Sequence, residues 1–256
     1  MPVTEQSVMS LFLEMTVRGE ILSTGTGFAV MHDGAPYLIT NRHNLSGRRS
    51  DTNELLSDQT GACPDSVRIW HSRPGIHVAW AATVEPLYDA EERPLWLEHP
   101  LLGRGVDVVA LPLTELDEVE IRPYSLENGR YTPRVSVASD LSIIGFPFSI
   151  KAGGYFGVWM RGTVASEMAV QFDGKPCFLI DSRTRPGQSG SPVIHYSDGG
   201  PLQTLEGTII GAGEQATLLG IYSGRIHRDS DLGIVWKVAA INEVVANGQR
   251  PLHNNL

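Results

Sequence analysis

At 256 residues, with 41% hydrophobic and 19% charged residues, the chain has the make-up of a soluble globular protein long enough to bury one large or two small cores. Its 20 basic against 29 acidic residues leave a net charge of −9, which argues against a general nucleic-acid binder. The basic residues group only locally (Arg42, Arg48, Arg49; Arg183, Arg185), and two cysteines, Cys63 and Cys177, exclude a multi-disulfide framework.

The segment before residue 31 has no lysine and a single arginine, Arg18, and its apolar run Val8–Val17 is broken by Glu14. A secretory signal wants a basic start and an unbroken apolar stretch, and no run here is long enough for a transmembrane helix. A cytoplasmic protein that does not engage a membrane is the expectation.

In chain order, Leu11, Leu13, Met15 and Val17 alternate with Phe12, Glu14 and Thr16 in the period-two pattern of a strand. Ser23–Val30 carries Gly25-Thr26-Gly27 into a second β-type segment; no helix opens there, so a dinucleotide loop is excluded. Asp33-Gly34 signals a hairpin before the strand Tyr37–Thr40. Asn41-Arg42-His43-Asn44-Leu45 follows at once, and residues 46–65 read as a polar surface loop. Val67–Trp70, Val78–Trp80 and Val106–Leu111 read as strands, with residues 85–105 irregular. Residues 114–134 are polar and weakly patterned, a candidate connection.

Strand signals resume at Leu141–Gly145, Val158–Met160, Val164–Phe172 and Cys177–Ile180, with a turn at Asp173-Gly174, then at Leu205–Ile210, Leu218–Tyr222 and Leu232–Val235. Trp236–Ala246 spaces Val238, Ile241, Val244 and Val245 as a helix, with Gly248 as a C-cap. Many short strands and one terminal helix predict an all-β protein: a sandwich or a pair of barrels.

Thr184-Arg185-Pro186-Gly187-Gln188-Ser189-Gly190-Ser191-Pro192-Val193 is the stretch most suggestive of chemistry. Glycines on both sides of a serine suit a backbone whose N–H groups converge on one point, as an activated nucleophile beside an oxyanion hole requires; a tight turn is the bland alternative. Asp107 sits inside an apolar strand, where a carboxylate is costly unless paired. A histidine is one such partner, and His43 directly follows a buried-type strand; Asp would then fix its tautomer while it serves as base for Ser189. An exposed strand end is the competing placement for Asp107.

Together these segments resemble the chymotrypsin-like (trypsin-fold) serine peptidases, especially their bacterial HtrA-type and glutamyl endopeptidase branches. Thr24-Gly25-Thr26-Gly27-Phe28 is similar to the family's G-S/T-G-F strand, Leu38–His43 to its L-T-x-x-H segment, Asp107–Leu111 to D-I/V-A-L, and Gly187–Val193 to G-N/D-S-G-G/S-P-V/L. Leu232–Val245 resembles the last strand and terminal helix.

The resemblance implies two antiparallel six-stranded β-barrels with a C-terminal α-helix: residues 1–120 carry His and Asp, 121–134 connect, 135–235 carry Ser, and 236–248 form the helix. It implies a triad of His43, Asp107 and Ser189, and an oxyanion hole of the Gly187 and Ser189 N–H groups. No cofactor and no metal is implied. Gly220–Arg225 resembles the strand that binds substrate as an added β-strand, with Ser223 donating to Asp107, Gly224 beside it, and Arg183, Thr184 and Tyr222 around the primary specificity pocket. The partner implied is a protein or peptide substrate; restraint of its activity would come from narrow specificity, an occluded cleft or a regulatory protein partner.

Departures from the family pattern carry information. No cysteine follows His43, so the disulfide of the animal branch is missing, in keeping with a reducing compartment. Gln188 stands where zymogen-activated relatives have an aspartate, so activation by N-terminal cleavage is not expected. Thr184, with Arg183 and Arg225 nearby, suggests a preference for an acidic residue before the scissile bond, although Tyr222 departs from the glutamyl endopeptidase pattern.

Two rivals stand beside this reading. Ser189, Asp198 and His227 occur in α/β-hydrolase order, but Ser191 replaces the second glycine of G-x-S-x-G and the sequence continues as a strand, not a helix. The other rival is a catalytically silent trypsin-fold domain that binds or regulates proteins.

Overall fold

The computed structural model describes residues 3–57, 61–127, 129, 131–211, 213–227 and 229–251. A single turn of helix, α1 (Gln6–Met9), leads into β1 (Ser10–Val17), which turns back through Arg18-Gly19 into the long β2 (Glu20–His32). Asp33 and Gly34 both take positive φ (49° and 78°), the primed turn that matches strand twist, and deliver β3 (Ala35–Thr40). After the short α2 (Arg42–Ser46) come β4 (Ser66–Arg73), β5 (Ile76–Pro86), β6 (Leu97–Glu98), β7 (Val109–Pro112) and β8 (Pro123–Tyr124). These eight strands form one sheet in the order β5-β4-β1-β2-β3-β7-β6, with β8 parallel beside β2. The first half is thus a sheet of eight strands where six were expected, and β8 carries it into the stretch expected to be a connection.

The second half is a closed six-stranded barrel. Its strands are β9 (Asp140–Gly145), β10 (Val158–Val164), β11 (Cys177–Asp181), β12 (Pro192–Asp198), β15 (Glu214–Arg225) and β16 (Leu232–Lys237), closed in the order β10-β11-β16-β15-β12-β9. A separate hairpin, β13 (Leu202–Thr204) and β14 (Gly207–Ile209), accounts for the strand expected at 205–210. Residues 165–172 are not the strand their composition suggested. β10 ends at Val164, and the chain rejoins the barrel only after the turn at Asp173 and Gly174 (φ 52° and 65°).

Each half has its own core: Leu13, Met15, Leu38, Ile69 and Trp96 in the first, Leu141, Ile143, Phe178, Val193 and Tyr222 inside the barrel. A third cluster joins them, with Phe28, Ile39 and Val108 against Ile194, Ile221 and Trp236. Aromatic contacts add to the junction: Trp70 of β4 stacks on Tyr155 at 4.1 Å, and Phe12 meets Phe146 edge-on at 5.1 Å.

The C-terminal helix α3 (Val238–Asn247) starts two residues later than its pattern suggested, because Trp236 and Lys237 still belong to β16. It buries Ala240, Ile241, Val244 and Val245 against this third cluster, the larger side chains contributing about 1.5–3 kcal/mol each. Gly248 ends the helix without a left-handed cap (φ −59°, ψ 152°). A side chain there would meet the Leu97 Cβ at 2.9 Å, so glycine serves close approach to β6. His99 Nε2 and Glu243 Oε2, 2.8 Å apart, tie the helix to the same region.

Arg42, one of the locally grouped basic residues, is fully buried, its Nε donating to Glu98 Oε1 at 2.7 Å, and Glu98 also accepts from Trp96 Nε1 at 3.2 Å.

Candidate active site

β3 ends at Thr40, and α2 begins two residues later. That short helix places His43 at the edge of the first sheet, its side chain 19% exposed, facing the junction of the two halves. Asp107 lies two residues ahead of β7 and not within a strand, and it is nonetheless buried at 6% exposure. Four donors answer its charge. His43 Nδ1 lies 2.7 Å from Oδ2 and the His43 backbone N–H donates to Oδ1 at 3.1 Å, while the Ser223 hydroxyl donates to Oδ2 at 2.5 Å and the Ser50 hydroxyl to Oδ1. Asn41, fully buried, fixes the backbone here by donating Nδ2 to the Asp107 carbonyl at 2.7 Å.

The electrostatics follow from this cage. Burial by itself would raise the Asp107 pKa, but the imidazole beside it and the bonds from His43, Ser223 and Ser50 outweigh that and hold the carboxyl well below its usual range. Burial pushes His43 down; the Asp107 charge and hydrogen bond push it up further, and the net shift is upward. The dyad is a fixed carboxylate orienting a basic imidazole with one ring nitrogen left for the cleft.

Ser189 sits in the loop between β11 and β12, in a backbone that only glycine can flank. Gly187 and Gly190 take φ of 92° and 91°, and a β-carbon on Gly190 would overlap the Thr26 carbonyl oxygen and approach Thr40 Oγ1 to 2.7 Å. The buried Gln188 closes the loop on itself: its Oε1 accepts the Arg185 N–H at 2.7 Å, and the Ser191 N–H returns to its carbonyl at 2.9 Å. Among the described residues, the N–H groups of Gly187 and Ser189 donate to no protein acceptor, so both are open to an incoming oxygen. The Ser189 hydroxyl donates to the Ser223 carbonyl at 3.0 Å, and no hydrogen bond joins it to His43.

The first half braces this loop through residues that the sequence reading did not single out. Thr26 donates its backbone N–H to the Ser189 carbonyl at 3.0 Å and its hydroxyl to the Gly187 carbonyl at 2.8 Å, and the same hydroxyl accepts the Phe146 N–H at 3.2 Å. Asn44 adds a bond from Nδ2 to the Ser189 carbonyl at 3.2 Å. The signal was available: Thr26 is a hydroxyl inside a strand that buries its neighbours, and the argument that singled out Asp107 applies equally to it.

Of the residues expected to bind substrate, Ser223 and Gly224 lie on the last stretch of β15. There β12 no longer pairs with it, its partner register ending at Ile221, so one edge is free for an added strand. Thr184 and Tyr222 come together, hydroxyl to hydroxyl, and Tyr222 is only 3% exposed, with its ring 2.6 Å from where a Gly233 side chain would start. The tyrosine fills the space beneath the strand. Arg183 is not drawn in; its side chain is 82% exposed, with Nε 3.9 Å from Asp231. The rival hydrolase set does not assemble around Ser189: His227 is exposed beside Asp229, and Asp198 lies at the far end of β12.

Among the described residues, no group of three His, Cys, Asp or Glu side chains could hold a metal ion, and no helix is long and apolar enough to cross a membrane. Cys63 and Cys177 are free.

Comparison with known proteins gives the arrangement a family context. The family model described as a trypsin-like peptidase domain matches residues 25–202. Among solved structures, the chain is similar to an inactive-form mutant of Rv3671c from M. tuberculosis H37Rv, at 16% identity and a TM-score of 0.51, over 95% of this chain and 86% of that one. It is also similar to the serine endoprotease from Yersinia pestis, at 14% identity and a TM-score of 0.52, over 96% of this chain and 66% of that one. It thus spans slightly less than two thirds of the Yersinia chain. No curated protein matches it in sequence.

Proposed function

Because the chain belongs to the trypsin-like peptidase domain family, we propose that it is a serine endopeptidase that cleaves peptide bonds through an acyl-enzyme on Ser189. The observation that carries this reading is the caged Asp107 carboxylate, bonded to His43 and both serines, facing a serine loop with two unengaged N–H groups.

In this mechanism an extended peptide joins the free edge of β15, and one of its N–H groups takes the Ser223 carbonyl. The Ser189 hydroxyl, displaced from that carbonyl, turns to His43, which accepts its proton as the oxygen attacks the peptide carbonyl. Asp107 keeps the imidazole in the required tautomer and stabilises the imidazolium. The Gly187 and Ser189 N–H groups receive the oxyanion. His43 then protonates the leaving amine, and water, deprotonated by the same imidazole, releases the acid and regenerates Ser189. Gln188 supports a loop that needs no newly cut N-terminus, since its own side chain closes the turn. A cytoplasmic site of action and a regulatory partner belong to the same proposal.

One observation favours a second reading, a silent binding domain: the serine hydroxyl rests on the Ser223 carbonyl instead of on His43. Cleavage of a fluorogenic peptide library separates the two. Hydrolysis by the wild type that disappears in Ser189→Ala supports the peptidase; its absence across the library, with peptide binding retained, supports the silent domain.

A further inference from the structure

Beside the His43–Asp107 pair lies a cavity of about 620 Å³ with walls from both halves of the molecule. Leu102, Ile234 and Trp236 give it an apolar surface. Arg49 from the loop after α2, Arg104 from the turn before Asp107 and Lys175 from the turn before β11 bring three positive charges to its rim.

Among the described residues these cations form no direct ion pair, whereas Arg68, Arg73, Arg93 and Arg161 each pair with a carboxylate. Two carboxylates line the same cavity: Asp107, hydrogen-bonded to His43 and the two serines, and Asp51, one oxygen of which accepts the Thr52 N–H at 2.8 Å. In a chain of net charge −9, a cavity whose three cations, brought from three loops, outnumber its two carboxylates is a local inversion of sign. A concave, partly apolar wall focuses such a field toward whatever enters.

The substrate strand determines which side chain enters. Side chains alternate along an extended peptide, so in the proposed binding mode, with the residue before the scissile bond on the Thr184–Tyr222 side, the second and fourth residues before it would lie on the opposite face, toward His43 and this cavity. The Gly224 position leaves the way open, since a β-carbon there would meet nothing within 4 Å.

We propose that this cavity is a specificity site for an acidic side chain at the second or fourth residue before the scissile bond, its carboxylate received by Arg49, Arg104 and Lys175. The proposal rests on the peptidase reading above and names the substrate class for it: extended segments with Glu or Asp on the amino-terminal side of the cut.

The test uses matched quenched-fluorescent peptides that differ only in Glu, Gln or Lys at those two positions. At about 50 mM salt the expected kcat/KM for Glu exceeds that for Gln roughly tenfold at one of the positions, with Lys lowest, and the ratio shrinks at about 0.5 M salt. In Arg104→Ala and in Lys175→Ala the Glu-to-Gln ratio falls toward one, and in Arg104→Glu with Lys175→Glu the preference turns to Lys. Equal cleavage of all three peptides, within about twofold, overturns the cavity's role while leaving the peptidase reading intact. If no peptide is cleaved, the peptidase reading fails, and fluorescence anisotropy with Ser189→Ala protein decides the cavity separately: tighter binding of the Glu peptide supports it, and indifference to the side chain overturns it.

Discussion

Thr26 gives the sharpest test of how the first half of the molecule holds the reactive loop of the second. Replacing it with valine conserves shape but removes one hydroxyl that donates to the Gly187 carbonyl at 2.8 Å and accepts the Phe146 N–H at 3.2 Å. The Phe146 N–H is buried and would be left without a partner, at a cost of about 1–3 kcal/mol. The Gly187 carbonyl is only partly buried and can turn to water, so its loss is nearer 1 kcal/mol. Together about 2–4 kcal/mol of stability is expected to go, which at this chain length lowers Tm by roughly 5–15 °C.

The same bond fixes Gly187, one of the two proposed oxyanion donors. Losing such a donor outright costs ~10²–10³ in rate, so a loosened one is expected to lower kcat about ten- to a hundredfold with little change in KM. Calorimetry and peptide kinetics on Thr26→Val, with Thr26→Ser as the variant that keeps the hydroxyl, make the comparison. A Thr26→Val protein with wild-type Tm and kcat would refute the idea that this hydroxyl braces the loop, as would a serine variant no better than the valine one.

The remaining predictions concern charge. Because acylation needs a neutral imidazole and His43 is raised above its ordinary 6.5, kcat/KM is expected to be lost as pH falls and to rise through an apparent pKa above that value. A flat profile from about pH 5 to 9 would contradict the role of His43 as base. Asp107→Asn, which presents the wrong tautomer partner, is expected to lower kcat on the order of 10⁴-fold, measured against residual wild-type contamination. Glu98→Ala removes the acceptor shared by Arg42 and Trp96 inside the first core and is expected to cost about 3–5 kcal/mol in denaturant unfolding; a loss below about 1 kcal/mol would show that the buried pair is replaceable there.

What could be read in the sequence was whatever a local pattern encodes. The Asp33-Gly34 turn, the period-two strands and the α3 helix each follow from neighbours in the chain, and the triad segments stood out because glycines and a buried carboxylate are hard to place otherwise. What escaped depends on long-range packing. Nothing near Arg42 in the sequence announces that it is buried against Glu98. Val106–Leu111 read as one strand, yet Asp107 must leave the ladder to reach His43, and the strand begins only at Val109. Tyr222 was expected around a pocket; the bulge in β15 between Tyr222 and Gly224 turns it inward, where it fills space and bonds Thr184. The cavity of Arg49, Arg104 and Lys175 joins three loops far apart in the chain, which no local pattern could bring together.

The central claim is that Ser189 is a nucleophile activated by His43, and covalent labelling tests it most directly. The wild-type protein incubated with a fluorophosphonate is expected to gain one adduct by intact-mass spectrometry, mapped to the peptide containing Ser189 and slowed in step with protonation of His43. Ser189→Ala is expected to gain none. An unlabelled wild type at neutral pH, with and without added peptide, or an adduct that persists in Ser189→Ala, would contradict the account.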